Sequence, residues 1–232
     1  MVEPTHLAEI QAVTSLTAHT KRLTLRPLEH RLHFQPGQWI SLKLPIGERP
    51  PLNRAYSLAE PPTSTGEVSL VFDHVPGGIA STYLNQLRPG DRFSFSGPYG
   101  RFVLPELEDK QLLLIGRYSG LVPLRCMIRS LIHQRALPVT TLIAHAPSAG
   151  EQLYHEELIG LAQRHEQFRY VPLVAEEPGA VDGTLAMIRG LVDGNRSWIP
   201  MIAGVKAFAR PLRECFVEMG FDRKEVKLET YD

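Results

Sequence analysis

The sequence has little cysteine and no excess of charge of either sign. Cys126 and Cys215 are its only cysteines, so neither a disulfide framework nor an iron-sulfur cluster held by four thiolates can form. Lys plus Arg and Asp plus Glu are both 25, which leaves no broad cationic field for nucleic acid. No segment approaches the ~20 apolar residues of a membrane-spanning helix, and no long apolar run follows basic residues near the N-terminus. We therefore expect a cytoplasmic protein that binds no nucleic acid and has no membrane span.

The hydrophobic pattern changes near residue 105. Before it, short β-rich runs alternate with turns such as Pro36-Gly37 and Pro89-Gly90, a pattern typical of an antiparallel barrel or sandwich. After it, short apolar runs alternate with segments of helical spacing such as Pro123 to Gln134, which predicts a mostly parallel, doubly wound sheet. We predict a β domain over residues 1–105 and an α/β domain over residues 106–232.

The segment Arg54-Ala55-Tyr56-Ser57 places a cation, an aromatic ring and a hydroxyl at the end of a predicted strand. Arg54 can pair with pyrophosphate oxygens. Tyr56 can cover a flavin face or bond the ribityl chain, and Ser57 can hydrogen-bond near the ring N5. The alternative is an ordinary edge strand with an exposed arginine beside a half-buried tyrosine.

A glycine turn, Gly77-Gly78, leads into a short predicted helix that contains Ser81. The amides of the turn and the Ser81 hydroxyl can receive a phosphate at a helix N-terminus. The alternative is a β-to-helix turn with a Ser or Thr cap.

Four elements, in order along the chain, resemble the ferredoxin-NADP reductase superfamily. They are Pro36-Gly37-Gln38, Arg54-Ala55-Tyr56-Ser57, Gly78 with Ser81, and Gly97-Pro98-Tyr99-Gly100. The resemblance implies a Greek-key flavin barrel followed by a nucleotide-binding α/β domain. It implies that Arg54, Tyr56 and Ser57 contact the ribityl, pyrophosphate and isoalloxazine groups, and that Gly78 and Ser81 hold the pyrophosphate. The Gly78 and Ser81 element favours FAD over FMN, and a bound cofactor over a flavin used as substrate.

The turn Arg117-Tyr118-Ser119-Gly120-Leu121-Val122-Pro123 stands where the family has Gly-Gly-Thr-Gly-Ile-Ala-Pro. In the family this turn brings the nicotinamide nucleotide close to the backbone. Ser119, Gly120 and Pro123 fit the pattern, and Pro123 suits the first position of the next helix. Tyr118 departs from it, because a side chain in place of glycine either fills space that the nucleotide needs or demands an unfavourable φ.

Three later segments also compare with the family. Gly204 is kept, but Ala203-Gly204-Val205 replaces Cys-Gly-Pro. Ala144-His145-Ala146-Pro147 replaces Gly-x-Arg, so the arginine for the 2′-phosphate of NADP is missing and NADH is favoured. Glu229-Thr230-Tyr231 resembles the Glu-x-Tyr ending, which implies that Glu229 lies near the nicotinamide and that Tyr231 stacks on the flavin. Asp232 extends past that ending, and a polar tail is the alternative.

Other residues offer weaker candidates. The nine histidines show no metal-ligand spacing and are interpreted as surface or capping residues, so no metal is expected. Ser119 lacks the Gly-x-Ser-x-Gly context of a hydrolase nucleophile.

The resemblance thus implies an FAD-dependent oxidoreductase that passes electrons between NAD(P)H and a redox partner protein or small acceptor. Ser57, Glu229 and Tyr231 are the expected catalytic residues. The alternative is an FAD-binding electron-transfer or regulatory subunit with a lost or impaired nicotinamide site, which Tyr118 and Val205 favour. The expected cofactor-binding residues are Arg54, Tyr56, Ser57, Gly78, Ser81, Ser119, Gly120 and Gly204.

Overall fold

The structure, a computed structural model, describes residues 5–47, 52–175 and 179–231. The chain divides into two compact units, one of Met1–Val103 with Arg125–Ser130 and one of Leu104–Leu124 with Leu131–Asp232. The grouping of Arg125–Ser130 differs from the predicted division, which puts these residues in the α/β domain. The physical reason lies at Arg125, whose guanidinium donates to the Ala59 carbonyl at 3.1 Å and pairs with Glu60 at 2.9 Å.

Six antiparallel strands form the sheet of the first unit, in the order β4-β3-β6-β1-β2-β5. Beyond the end of β4, Leu58 pairs with Leu70 of β5, and the Ala59 amide donates to the Ser69 carbonyl at 2.8 Å. These bonds join the two outer strands and close the predicted barrel. The elements are β1 (His6–Ser15), β2 (Thr20–Pro27), β3 (Trp39–Leu44), β4 (Leu52–Ser57), β5 (Val68–Asp73), α1 (Ile79–Gln86) and β6 (Arg92–Tyr99).

The core of the first unit follows the period of two in its strands. On β3, Ile40, Leu42 and Leu44 are fully buried, while the residues between them are half-exposed. Leu23 of β2 and Phe95 of β6 are buried in the same cluster. Burial of each such side chain contributes about 1.5–3 kcal/mol to the free energy of folding. The alternation therefore fixes which face of each strand points inward.

Five strands form the sheet of the second unit, in the order β11-β10-β7-β8-β9, and every neighbouring pair is parallel. The three central strands are buried along nearly all of their length, as parallel strands covered on both faces are. This arrangement confirms the predicted parallel α/β sheet. The elements are β7 (Gln111–Arg117), α2 (Leu121–His133), β8 (Thr140–Ala146), α3 (His155–Arg164), β9 (Phe168–Val174), α4 (Gly179–Val192), β10 (Trp198–Val205), α5 (Lys206–Glu218) and β11 (Lys227–Tyr231).

The start of helix α2 differs from the sequence-based prediction at a point that bears on the site. A 3-10 turn at Tyr118–Gly120 leads directly into α2, so the helix begins at Leu121. Pro123 is therefore the third residue of the helix and not the first. The position is still tolerated, because amides of the first helical turn have no partner within the helix. Within the described ranges, no helix is long and apolar enough to cross a bilayer.

Candidate functional site

Strand β4 carries the first set of predicted site residues in the first unit. Arg54 is exposed, Tyr56 is half-buried against the barrel core, and Ser57 is buried at the strand end. The Arg54 Nη1 donates to the neighbouring Asn53 carbonyl at 2.9 Å. Burial raises the pKa of Tyr56 to about 12, so its hydroxyl stays protonated and can donate a hydrogen bond. The strand thus presents a cation, a phenol and a hydroxyl within four residues.

The glycine turn before α1 is braced by Ser81. The Val75 amide donates to the Ser81 Oγ at 3.1 Å, and that hydroxyl lies 3.1 Å from both the Val75 and the Gly78 carbonyl oxygens. A Cβ at Gly78 would lie 2.8 Å from the Ser81 Oγ, so the close fit needs glycine. The bonds of the Ser81 hydroxyl hold the turn in shape, while the amides of the first turn of α1 remain without intrahelical partners.

Two motifs of the first unit meet beside β3. The Gln38 Nε2 donates to the Gly100 carbonyl at 3.3 Å, and the rings of Trp39 and Tyr99 lie 4.9 Å apart. Gly37 has φ +100°, and a Cβ there would overlap the Phe102 carbonyl. The Pro-Gly-Gln and Gly-Pro-x-Gly elements, far apart in sequence, therefore form one packed corner of the barrel.

The carboxyl ends of the parallel strands bring the second set of predicted residues together. Gly120 packs so closely on β10 that a Cβ would overlap the Ala203 carbonyl. Gly204 has φ +159°, and a Cβ there would lie 3.4 Å from the Arg117 Cβ. Ser119 lies in the 3-10 turn between them. Ligands of open α/β sheets bind outside this edge, so the placement suits a nucleotide.

Arg117 and Tyr118 form a pair that the sequence did not reveal. Tyr118 has φ +51°, in the left-handed region. The Arg117 side chain is buried, and its Cζ lies 4.9 Å from the Tyr118 ring centroid and 5.6 Å from that of Phe208. A guanidinium at these distances from aromatic rings is attracted to them. The two side chains that replace family glycines therefore interact with each other.

His145 is buried, which corrects its interpretation as a surface or capping histidine. It is 1% exposed on β8, whose residues are all buried, and it pairs in register with Arg117 of β7. Burial, with the nearby Arg117 charge, lowers the pKa of His145 to about 4. The imidazole is therefore neutral near pH 7. The apolar run around it in the sequence was the available signal for this burial.

The Glu-x-Tyr segment lies on β11, the edge strand beside β10. Glu229 pairs in register with Ala203, and Tyr231 with Val205. Burial raises the pKa of Glu229 to about 7, so this carboxyl can both hold and release a proton near neutral pH. Asp232 lies outside the described residues.

One group of metal-ligating side chains meets in the first unit despite its sequence spacing. His6, Glu29 and His30 place one ligand atom each within 4.8 Å of one another. The rings of His6 and His30 lie edge to face, with centroids 4.7 Å apart. The sequence-based expectation that the protein binds no metal stays a prediction.

Comparisons with known proteins agree with this architecture. Residues 5–104 match the family model of the oxidoreductase FAD-binding domain. The chain is 27% identical over 239 residues to ferredoxin-NADP reductase B of Sorangium cellulosum, covering 97% of both chains. The chain belongs to the ferredoxin-NADP reductase superfamily. The predicted FAD cofactor and the flavoprotein oxidoreductase class are thereby confirmed.

The share of a relative's length that this chain spans differs from one relative to the next. It is 36% identical over 165 residues to the reductase component DmpP of phenol 2-monooxygenase from a Pseudomonas strain, which covers 70% of this chain and 45% of that protein. The ferredoxin-NADP+ reductase structure from Plasmodium falciparum superposes with a TM-score of 0.84 at 16% identity, covering 100% of this chain and 98% of that one. The structural likeness shows the shared fold.

Proposed function

We propose that this member of the superfamily is an FAD-dependent reductase that prefers NADH and delivers electrons to a redox protein or a small acceptor. One observation carries the proposal. A single chain combines the barrel elements that suit a flavin dinucleotide with a parallel sheet whose carboxyl edge gathers Gly120, Gly204 and Glu229. Bound FAD supplies the redox chemistry, since a flavin accepts two electrons as hydride and can release them singly.

The residues of the first unit fit the parts of FAD. The exposed Arg54 guanidinium can exchange its bond to the Asn53 carbonyl for a stronger, charge-assisted bond to pyrophosphate. Gly78 and the amides at the start of α1 form the second phosphate contact, in a turn that Ser81 holds. Tyr56 and Ser57 then orient the ribityl chain and the reactive ring through their hydroxyls.

The residues of the second unit fit the nicotinamide nucleotide. Ser119 contributes a hydroxyl, and Gly120 and Gly204 keep the strand ends free of side chains, so backbone amides can approach a diphosphate. Glu229, with its pKa raised to about 7, could hold a proton beside a bound nicotinamide. We assign to Tyr231 the role of a ring that covers the isoalloxazine.

The preference for NADH rests on the end of β8. The segment Ala144-His145-Ala146-Pro147, which stands in the place of the family's Gly-x-Arg, contains no arginine for a 2′-phosphate. His145 in this segment cannot replace that charge, because its pKa is lowered to about 4 and the side chain is buried. A 2′-phosphate would thus meet no cation from this strand end, whereas an unmodified ribose needs none.

Rapid anaerobic mixing of the FAD-loaded protein with NADH or NADPH tests the proposal through the loss of visible flavin absorbance. We expect saturable reduction by both nucleotides, with a higher second-order rate constant for NADH. Ser57→Ala should slow reduction more than it weakens FAD binding, because its hydroxyl acts on the position of the reacting ring. A protein that binds no FAD, or that NADPH reduces faster than NADH, would contradict the proposal.

A second candidate function is supported by the pair Arg117 and Tyr118. Two side chains stand where the family has glycines, and they interact with each other at 4.9 Å. A chain whose nicotinamide site is closed in this way would bind FAD and act as an electron-transfer or regulatory subunit. In the same mixing experiment such a protein would bind FAD normally but would not be reduced by NADH, while a chemical reductant would still reduce it.

A further inference from the structure

We propose that the second unit carries an anion-binding pocket for a small molecule bearing phosphate or carboxylate groups. The pocket has a volume of about 260 Å³. Trp198 and Lys227, the first residues of β10 and β11, lie in its wall. Because the strands are parallel, this wall belongs to the amino-terminal edge of the sheet. The turn with Ser119 and Gly120 lies at the opposite, carboxyl edge, so the pocket is separate from the proposed nucleotide site.

The charge of the pocket selects its ligand. Lys110, Arg196, Lys224 and Lys227 line it, against a single carboxylate, Glu225. The Glu225 Oε2 accepts a hydrogen bond from the Asp222 amide at 3.0 Å, so part of its acceptor capacity is used within its own turn. Cations from three separate segments converge here on a chain whose net charge is zero. Only an anion complements this concentration of positive charge.

Two of the cations are held in place before any ligand arrives. The Arg196 Cζ lies 4.7 Å from the Phe221 ring centroid. Gly220 has φ +84°, and a Cβ there would lie 2.5 Å from the Arg196 Nη2, so glycine makes room for the guanidinium. The Lys227 Nζ donates to the Lys224 carbonyl at 3.2 Å. Side chains that are already ordered lose less entropy when a ligand binds.

Trp198 contributes to the apolar part of the pocket wall. The residue is 9% exposed, and its indole N–H is buried in the protein, so it offers a ligand its ring and not its hydrogen-bond donor. The indole ring lines the pocket together with Pro105 and Ile199. A flat organic anion, with oxygens toward the cations and its body against these apolar groups, fits this wall.

Isothermal titration calorimetry on the FAD-loaded protein at low salt tests the pocket, with inorganic pyrophosphate and phthalate as the two probes. We expect one-to-one binding of at least one probe; pyrophosphate alone points to a phosphorylated ligand, and phthalate alone to a carboxylated one. Lys224→Ala should weaken binding about 10-fold. Arg223→Ala is the matched control, because Arg223 bonds to Glu214 at 2.9 Å and does not line the pocket. It should change the affinity by less than about twofold.

One further measurement separates the pocket from other anion sites. Saturation with NADH should leave probe binding unchanged, because the nucleotide site lies at the other sheet edge. The proposal is overturned if neither probe binds, if Arg223→Ala weakens binding as much as Lys224→Ala, or if NADH displaces the probe.

Discussion

At Tyr118 the backbone adopts a conformation that favours glycine, with φ +51°. Tyr118→Gly relieves about 1–2 kcal/mol of left-handed strain. It also lowers the stability by about 0.5–1 kcal/mol, because glycine loses more conformational entropy on folding. The loss of the cation-π contact with Arg117 lowers the stability by a further ~0.5–1 kcal/mol. These effects nearly cancel, so we expect little change in stability. If the ring occupies nucleotide space, reduction by NADH should accelerate about tenfold for each 1.4 kcal/mol of repulsion removed.

The measurement is the flavin reduction rate as a function of NADH concentration. Tyr118→Phe is the control, because it keeps the ring and its contact with Arg117 while removing only the hydroxyl. It should behave as the wild type does. Fast, saturable reduction of the wild type that the glycine leaves unchanged or worsens would show that the ring points away from the nucleotide.

Glu229 should make stability depend on pH. Its pKa is raised from 4.5 to about 7 by burial, so the folded state binds the proton more tightly than the unfolded state. The stability that this proton confers is full below about pH 4.5 and is lost as pH rises to about 7. Glu229→Gln removes the dependence and should stabilise the protein by about 1–2 kcal/mol at about pH 8, with little change at about pH 4. Denaturant unfolding of the wild type and of Glu229→Gln at both pH values checks this. The prediction is contradicted if the two forms have the same free energy of unfolding at about pH 8.

At the scale of helices and strands, the sequence predicts best those elements whose apolar residues recur at a regular spacing. On β3, Ile40, Leu42 and Leu44 alternate with Ser41 and Lys43 in the sequence, and the structure buries all three. Contacts between distant residues carry no such signal. The bond between Arg125 and Glu60, which groups the middle of α2 with the first unit, depends on residues 65 positions apart. The positive φ of Tyr118, by contrast, is one of the two outcomes expected where a side chain replaces the family glycine.

The turn before α1 should respond to mutation differently from β4. Ser81→Ala removes the hydroxyl that bonds to Val75 and Gly78, so we expect it to lower the stability of the FAD-free protein by about 1–2 kcal/mol and to weaken FAD binding as well. Arg54→Ala removes an exposed side chain. It should leave FAD-free stability unchanged and weaken FAD binding about 10-fold to 150-fold. Thermal unfolding and flavin titration of both variants test the contrast, and equal loss of stability would contradict it.

At the scale of the whole molecule, each unit has a cluster of buried apolar residues of its own within the described ranges. Leu23, Leu42 and Phe95 belong to the first, and Ile115, Ile202 and Phe208 belong to the second. Each unit also holds its own set of ligand-binding candidates, β4 with the α1 turn in one and the carboxyl edge of the parallel sheet in the other. A ligand that binds only the folded form of one unit stabilises that unit in proportion to its saturation.

FAD should therefore act selectively on the thermal unfolding of the chain. At a free concentration of about 1,000 times its dissociation constant, FAD adds about 4 kcal/mol to the unit that binds it. We expect calorimetry to show that FAD removal lowers the transition of the barrel unit, with a much smaller change for the α/β unit. Arg54→Ala, which weakens the FAD contact, should reduce the FAD-dependent shift without moving the FAD-free transition. A shift of equal size for both units would mean that they unfold as one cooperative body, since the free energy of FAD binding would then be shared by both cores.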